Sequence, residues 1–237
     1  MECAGIVLQA RLGSTRLPGK VLAPIGRWTL LEHCVRRLTS SGLPIVVATT
    51  THAEDDPIAS VARRQGAEVF RGSADDVLAR FIDAARTFGF TAVIRATADN
   101  PFVDLDAPRR TLLSRQRTGA DHVVECDLPI GAAVEAVSLD ALLRAQPLAS
   151  DPYDREHVTS LVRRDSRFRA LRAVAPGDRR RTGLRLTVDT AEDLARARAI
   201  HAALDDGDGL PALTEIIEAA DGMQARESAP GRHRKRA

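Results

Sequence analysis

Short apolar runs alternate with helix-patterned segments along nearly the whole chain, and that alternation limits the fold more than any other feature. GIVLQA (5–10), LPIVVATT (43–50), AEVFRG (67–72), TAVIRATAD (91–99), DHVVEC (121–126) and LRLTVDT (184–190) read as buried strands. Between and after them, WTLLEHCVRRL, DDPIASVARRQG, SADDVLARFIDAARTFG, DAPRRTLLSRQRTG, SLDALLRAQ, YDREHVTSLVRR, AEDLARARAIHAAL and LPALTEIIEAA read as helices, several opened by Ser, Asp or Pro and closed by Gly. The pattern predicts an α/β domain over residues 1–221 with a mainly parallel, Rossmann-like sheet between helical layers. Residues of about 123–180 are expected as a flap or insertion over the strand ends. The polar, Gly- and Pro-containing residues 222–237, ending in RHRKRA, are expected as a disordered basic tail.

Composition narrows the function classes. The formal net charge is only +2 and part of the excess sits in the last residues, so the body presents no basic face for nucleic acid. Cys3, Cys34 and Cys126 form neither a CxxC pair nor a Cys/His ligand spacing, which argues against a disulfide framework or a zinc site. No apolar stretch is long enough to span a bilayer, and no charged-then-apolar leader is present, so the expectation is a cytoplasmic protein without membrane association.

The first strand runs into RLGSTRLPGKVL (11–22), a loop with two glycines and three cations. Glycines permit close backbone approach and cations neutralise oxygens, so the loop suits a polyphosphate. It is not a Walker A motif, because Val21 stands where Ser or Thr would follow the lysine, and GxGxxG is also absent. A basic surface turn fits the residues equally well. Lysine is rare in the chain, at positions 20 and 235 only, among 34 Lys plus Arg, which favours a need for a compact ammonium at Lys20.

RLGSTRLPGKVL closely resembles the RxxSxRLPGKxL signature of the cytidylyltransferases that activate acidic sugars, such as the CMP-Kdo and CMP-sialic acid synthetases, and most of all their spore-coat polysaccharide branch. VFRGSADDVLARF (69–81), RATADNPFVD (95–104), REHVT (155–159) and VDTAEDL (188–194) follow in the order typical of that branch, so the resemblance covers about residues 5–204. It implies a GT-A-like nucleotide-binding sandwich, CTP and Mg²⁺, a small anionic acceptor and a homodimer. In the family frame Arg11, Ser14, Arg16 and Lys20 bind the nucleotide's phosphates, Lys20 and Arg11 act in catalysis with Asp99, and Asp99 and Asp189 hold the metal. Asp189 also reads as a helix N-cap, a role compatible with ligation. Arg71 and Ser73 are the expected base-side residues, while Asp76 needs no role beyond the helix dipole. Glu135, Arg155, Glu156 and His157 correspond to stretches near the acceptor. The family more often has Gly where Ala98 stands, and Tyr153 and Trp28 are expected to pack.

Two other classes compete with a CTP-dependent nucleotidyltransferase. A glycosyltransferase of the same broad fold would use a DxD-like motif, and DLD at 104–106 has that spacing, although it follows Pro101 and reads better as a helix start. A non-catalytic nucleotide-binding protein is the third. It does not explain why Arg11, Lys20, Asp99 and Asp189 are all present. Lys20 is expected as a solvent-facing loop residue that contributes little to stability.

Overall fold

The computed structural model describes residues 2–204 and 209–228. Its first half builds β1 (Ala4–Gln9), a two-residue hairpin β2 (Pro24–Ile25) and β3 (Trp28–Thr29), α1 (Leu30–Thr39), β4 (Ile45–Thr50), α2 (Asp56–Arg64), β5 (Glu68–Gly72), α3 (Val77–Thr87), β6 (Ala92–Thr97) and α4 (Ala107–Thr118). The second half adds β7 (His122–Cys126), β8 (Glu135–Ser138), α5 (Leu139–Ala145), α6 (Pro152–Glu156), α7 (Ser160–Arg164), β9 (Ala170–Val174), α8 (Ala191–Ala203) and α9 (Leu213–Ser228).

Seven strands form one sheet in the order β5-β4-β1-β6-β8-β7-β9. The first four are mutually parallel, β8 runs antiparallel to both β6 and β7, and β9 is parallel to β7. The expected mainly parallel α/β sheet is therefore present. Strand alternation divides the core. Ile6, Leu8 and Ile94 face one side with Leu31, Val35, Ile58 and Leu112 of α1, α2 and α4, whereas Val7 and Val93 face the other with Phe81, Leu142 and Val162 of α3, α5 and α7. All six residues of β4 are buried, which is why it reads as an unbroken apolar run. A third cluster, with Ile25, Leu186, Val188, Ile200 and Ile216, packs α8 and α9 beside the hairpin.

Helix starts follow local chemistry. Thr29 and Glu32 make a capping box at α1, and Thr190 and Asp193 make one at α8. At α3 the cap is Asp76, whose carboxylate accepts from the Ala79 N–H at 2.8 Å, and Ser73, expected there, instead accepts from the Asp76 N–H.

Several expectations change. LRLTVDT is extended but forms no strand, since its pairing is a single bridge between Arg185 and Ile130 before the partner chain turns away at Gly131. The span 123–180 is not simply a flap, because it supplies most of β7 and all of β8 and β9 to the sheet. β8 and β9 escape a periodicity reading because one is four residues long with a buried glutamate and the other is a partly exposed edge. YDREHVTSLVRR divides into α6 and α7 at Val158, which has a left-handed φ of 52°. The tail expectation fails for residues 222–228, which continue α9, with Met223 packed on the third core cluster; residues 229–237 lie outside the described residues. No helix among the described residues is long and apolar enough to cross a membrane.

Gly131 holds the segment that leads to Asp189. Its φ is 95°, and a Cβ there would lie 2.7 Å from the Thr187 nitrogen. Gly131→Ala is expected to cost about 1–3 kcal/mol by urea unfolding. Gly183→Ala, where a Cβ meets only the Arg181 side chain at 4.0 Å, should change stability by less than about 0.5 kcal/mol.

Candidate active site

β1 and β6 are neighbours in the sheet, with Gln9 opposite Thr97, and the chain leaves both at the same edge. A cleft of about 350 Å³ opens there. The loop after β1 is fixed by backbone bonds: the Leu12 N–H donates to buried Asp55 at 2.8 Å, and the Gly19 N–H closes onto the Leu12 carbonyl at 3.1 Å. Gly19 takes a left-handed φ of 71°, which turns the chain into a 3-10 turn at Lys20–Leu22 and sends the Lys20 side chain inward. Arg11, Ser14, Arg16 and Lys20 all line the cleft, as the sequence led one to expect.

Lys20 is the centre of this arrangement. Its Nζ donates to Asp189 Oδ1 and the Val188 carbonyl, both at 2.9 Å, and to Asp99 Oδ2 at 3.3 Å. The residue is 9% exposed, so the expectation of a solvent-facing lysine with little structural role is wrong. Its own backbone turn and its three acceptors pull it under the loop. Asp99 is positioned by Thr97, whose hydroxyl donates to Oδ1 at 2.6 Å, and its carbonyl accepts from the Val188 N–H at 2.8 Å. That backbone bond, in place of a strand ladder, carries Asp189 to the site.

Asp189 is gripped from both sides. Arg16 donates to Oδ1 at 2.9 Å, Arg185 to Oδ2 at 2.6 Å, and Asp193 accepts from the Asp189 N–H at 3.0 Å. Burial, the largest single influence, opposes ionisation of the carboxyl, but Lys20, Arg16 and Arg185 together outweigh it, and its pKa falls below the usual aspartate value. The N-cap of α8 is Thr190, so Asp189 is free of the capping role that its sequence position allowed.

The remaining expected residues divide. Glu156 and His157 line the cleft at the end of α6, Glu156 reaching Arg11 at 3.4 Å and His157 packing against Tyr153 with tilted rings 4.1 Å apart. Arg155 turns away to pair with Asp76. Glu135 is buried on β8 and does not line the cleft: it accepts from Arg95 at 2.8 Å, His122 at 2.7 Å and Thr159 at 2.5 Å. Arg71 and Ser73 also stand outside the cleft. Arg71 staples the turn after β4, donating to the Thr50 and His52 carbonyls at 2.9 and 2.6 Å and pairing with Asp56. Ala98 is buried and donates its N–H to the Gln9 carbonyl at 2.9 Å, and Trp28 packs under the Arg36 guanidinium. Within DLD, Asp104 is spent on Arg110 and Arg179 immediately before α4, which agrees with a helix start and leaves no exposed DxD.

Gln9, Arg95 and Thr97 also line the cleft and were not singled out from sequence. The available signal was strand period: positions 95 and 97 share a face and lead to Asp99.

No group of three or more His, Cys, Asp or Glu side chains suited to a metal occurs among the described residues. Asp99 and Asp189 nevertheless converge on one ammonium, so their oxygens meet at a common point. A magnesium-like ion takes one or two carboxylates and completes its shell with water and phosphate oxygens, and this donor set fits that requirement.

Lys20→Met should cost about 2–3 kcal/mol at neutral pH, less than a fully buried pair because Asp99 keeps 28% side-chain exposure. The folded-state pKa of Asp189 is depressed, so its stabilisation is present above the unfolded value and lost as pH falls through the folded one. The gap between wild type and Lys20→Met, read from urea midpoints, should therefore narrow in acid; a constant gap would contradict the ion-pair account.

Comparison with known proteins agrees with this geometry. The cytidylyltransferase family model matches residues 4–218. The spore coat polysaccharide biosynthesis protein SpsF of Bacillus subtilis is 36% identical over 205 residues, covering 82% of this chain and 85% of that protein. A cytidylyltransferase structure from Leptospira borgpetersenii superposes with a TM-score of 0.86 at 28% identity, over 98% of this chain and 99% of that one. A CMP:2-keto-3-deoxy-manno-octonic acid synthetase complexed with CTP shares the fold, with a TM-score of 0.67 at 18% identity over 85% of this chain and 99% of that one. The family model spans nearly the whole described chain and the Bacillus subtilis relative agrees with it, so the protein belongs to the cytidylyltransferase family of nucleotidyltransferases.

Proposed function

We propose that this chain transfers CMP from CTP to an oxygen of a small anionic acceptor, an acidic sugar or related acid, with release of pyrophosphate and with Mg²⁺ as the divalent ion. The observation that carries the reading is Lys20 lying between Asp99 and Asp189 beneath a loop that also supplies Arg11, Ser14 and Arg16. Those cations suit the negative charge of a triphosphate, and nucleotidyl transfer depends on neutralising that charge and aligning the attacking oxygen. An arriving triphosphate competes with Asp189 for Arg16 and Lys20, which frees carboxylate oxygens. A divalent ion held by Asp99 and Asp189 supplies further charge neutralisation when bound. Arg185 stays on Asp189 Oδ2 and keeps it oriented.

Glu156 and His157 line the cleft at the end of α6, Glu156 next to Arg11 of the loop, and are the groups an acceptor would meet. The relatives named for 3-deoxy-manno-octulosonate support an acidic sugar as the acceptor class. Arg155 and Glu135 act behind this wall, Arg155 by fixing α6 to the start of α3 through Asp76. Arg71 and Ser73 shape the base side by holding the adjoining turns. The homodimer is proposed on the family resemblance, and sedimentation velocity decides it.

With Mg²⁺ present, CTP should raise the melting temperature more than UTP, ATP, GTP or UDP-sugars, because a ligand stabilises the state that binds it. Pyrophosphate release with CTP and 3-deoxy-manno-octulosonate should stop in excess chelator. Asp99→Asn and Asp189→Asn should each slow it by about two orders of magnitude or more. Full activity in chelator, or a preference for UDP-sugars in the melting assay, would overturn the assignment.

A further inference from the structure

One cation of the cleft belongs to neither the phosphate loop nor the carboxylate pair. Arg95 lies on β6, and its side chain shares a face of the sheet with Thr97, whose neighbour on β1 is Gln9. It stands directly opposite Glu135 of β8, to which its Nη1 donates at 2.8 Å. Its Nε is buried with no hydrogen-bond partner. A guanidinium presents Nε and Nη2 along one edge, and that edge is the one Glu135 does not use. A buried donor without a partner is costly, and Arg95 lines the cleft, so an acceptor group bound there would relieve that cost.

Glu135 is arranged to hold Arg95 without cancelling it. Its carboxylate also accepts from His122 Nε2 and the Thr159 hydroxyl, so one negative charge is shared by three donors. Burial opposes its ionisation, yet the charge of Arg95 and the His122 and Thr159 bonds keep its pKa well below the usual glutamate value. Thr159 belongs to the turn that carries Glu156 and His157 into the cleft, and the left-handed Val158 lies within that turn. One buried carboxylate thus sets both the floor at Arg95 and the wall at His157. The other cations nearby are committed: Arg11, Arg16 and Lys20 sit on the phosphate loop, and Arg155 is turned to Asp76.

We propose that Arg95 is the anchor for the acceptor's anionic group, taking one carboxylate or phosphate side-on through Nε and Nη2. This rests on the nucleotidyl-transfer reading and adds to it the residue that selects a charged acceptor. Planar bidentate recognition of such an anion is stronger and more directional than contact with a point charge. An Arg→Lys exchange at this position therefore removes the fork while keeping a cation beside Glu135.

The test uses the full-length protein saturated with CTP and Mg²⁺, titrated by thermal shift with 3-deoxy-manno-octulosonate and N-acetylneuraminate as carboxylates, glycerol 3-phosphate as a phosphate, and glucose as a neutral control. Wild type should be stabilised by one anionic arm, which identifies the anion, and not by glucose. Arg95→Lys and Arg95→Gln should raise the half-saturating concentration of that acid about tenfold or more, while that of CTP stays within about twofold. Arg95→Lys guards against misfolding, and ligand-free melting of both variants is compared first. Unchanged acid binding in Arg95→Lys, equal stabilisation by glucose, or no stabilisation by any anion while CTP still binds would overturn the anchor and leave the nucleotide reading standing. If CTP itself does not stabilise wild type, both fall.

Discussion

The Lys20 ammonium joins three segments that are remote in sequence. It ties the loop after β1 to Asp99 at the end of β6 and to the extended chain at Val188 and Asp189 before α8. None of these pieces has a regular ladder to the others at the point of contact; the backbone bond from Val188 to the Asp99 carbonyl is the nearest substitute. A buried ammonium with three acceptors is costly to leave unpaired, so the segments are held in one arrangement. The same groups that stabilise the empty cleft are those a metal-bound triphosphate would engage. On the proposed reading, stability and nucleotide binding draw on one set of charges: Lys20 is held beneath the loop, while Arg11 and Arg16 keep 40% and 63% side-chain exposure.

A second buried hub acts on the far side of β6. Glu135 occupies the only antiparallel strand of the seven-stranded sheet, which brings a carboxylate of β8 level with Arg95. Through Thr159 it also reaches the break between α6 and α7. The sheet here does more than close the core: the reversed strand lets residues from the second half of the chain meet the end of a first-half strand. What looked in sequence like a stretch touching the acceptor is a support beneath the groups that would touch it.

The layers and most of the elements were legible from the chain. Strand alternation in GIVLQA, the unbroken apolar run of LPIVVATT and the cap chemistry of α1 and α8 are local signals, decided by side-chain period and by backbone groups a few residues away. The short or irregular pieces were not legible. EAVS is four residues long with a buried glutamate, ALRAV is a partly exposed edge, and LRLTVDT has a strand's composition but only one bridge partner. Arg11, Ser14, Arg16, Lys20, Asp99 and Asp189 were named through the family resemblance of the short motifs that hold them, and all of them line the cleft.

The sequence by itself determined the class of fold, since helix and strand periods depend on residue type and spacing over short windows, whereas the loop after β1 and the pair Asp99 and Asp189 were pointed to by family resemblance. Only the tertiary structure decided which charges remain available. Arg71, Arg155 and Glu135 look like site residues in sequence, but none lines the cleft: Arg71 is spent on Asp56, Arg155 on Asp76, and Glu135 on holding Arg95, His122 and Thr159 from behind. Arg95 looks like one more arginine among many, yet it lines the cleft with its Nε left without a hydrogen-bond partner. A charge is defined by its residue, but its partner is defined by how strands and helices pack, and long-range pairing leaves no local trace in the chain.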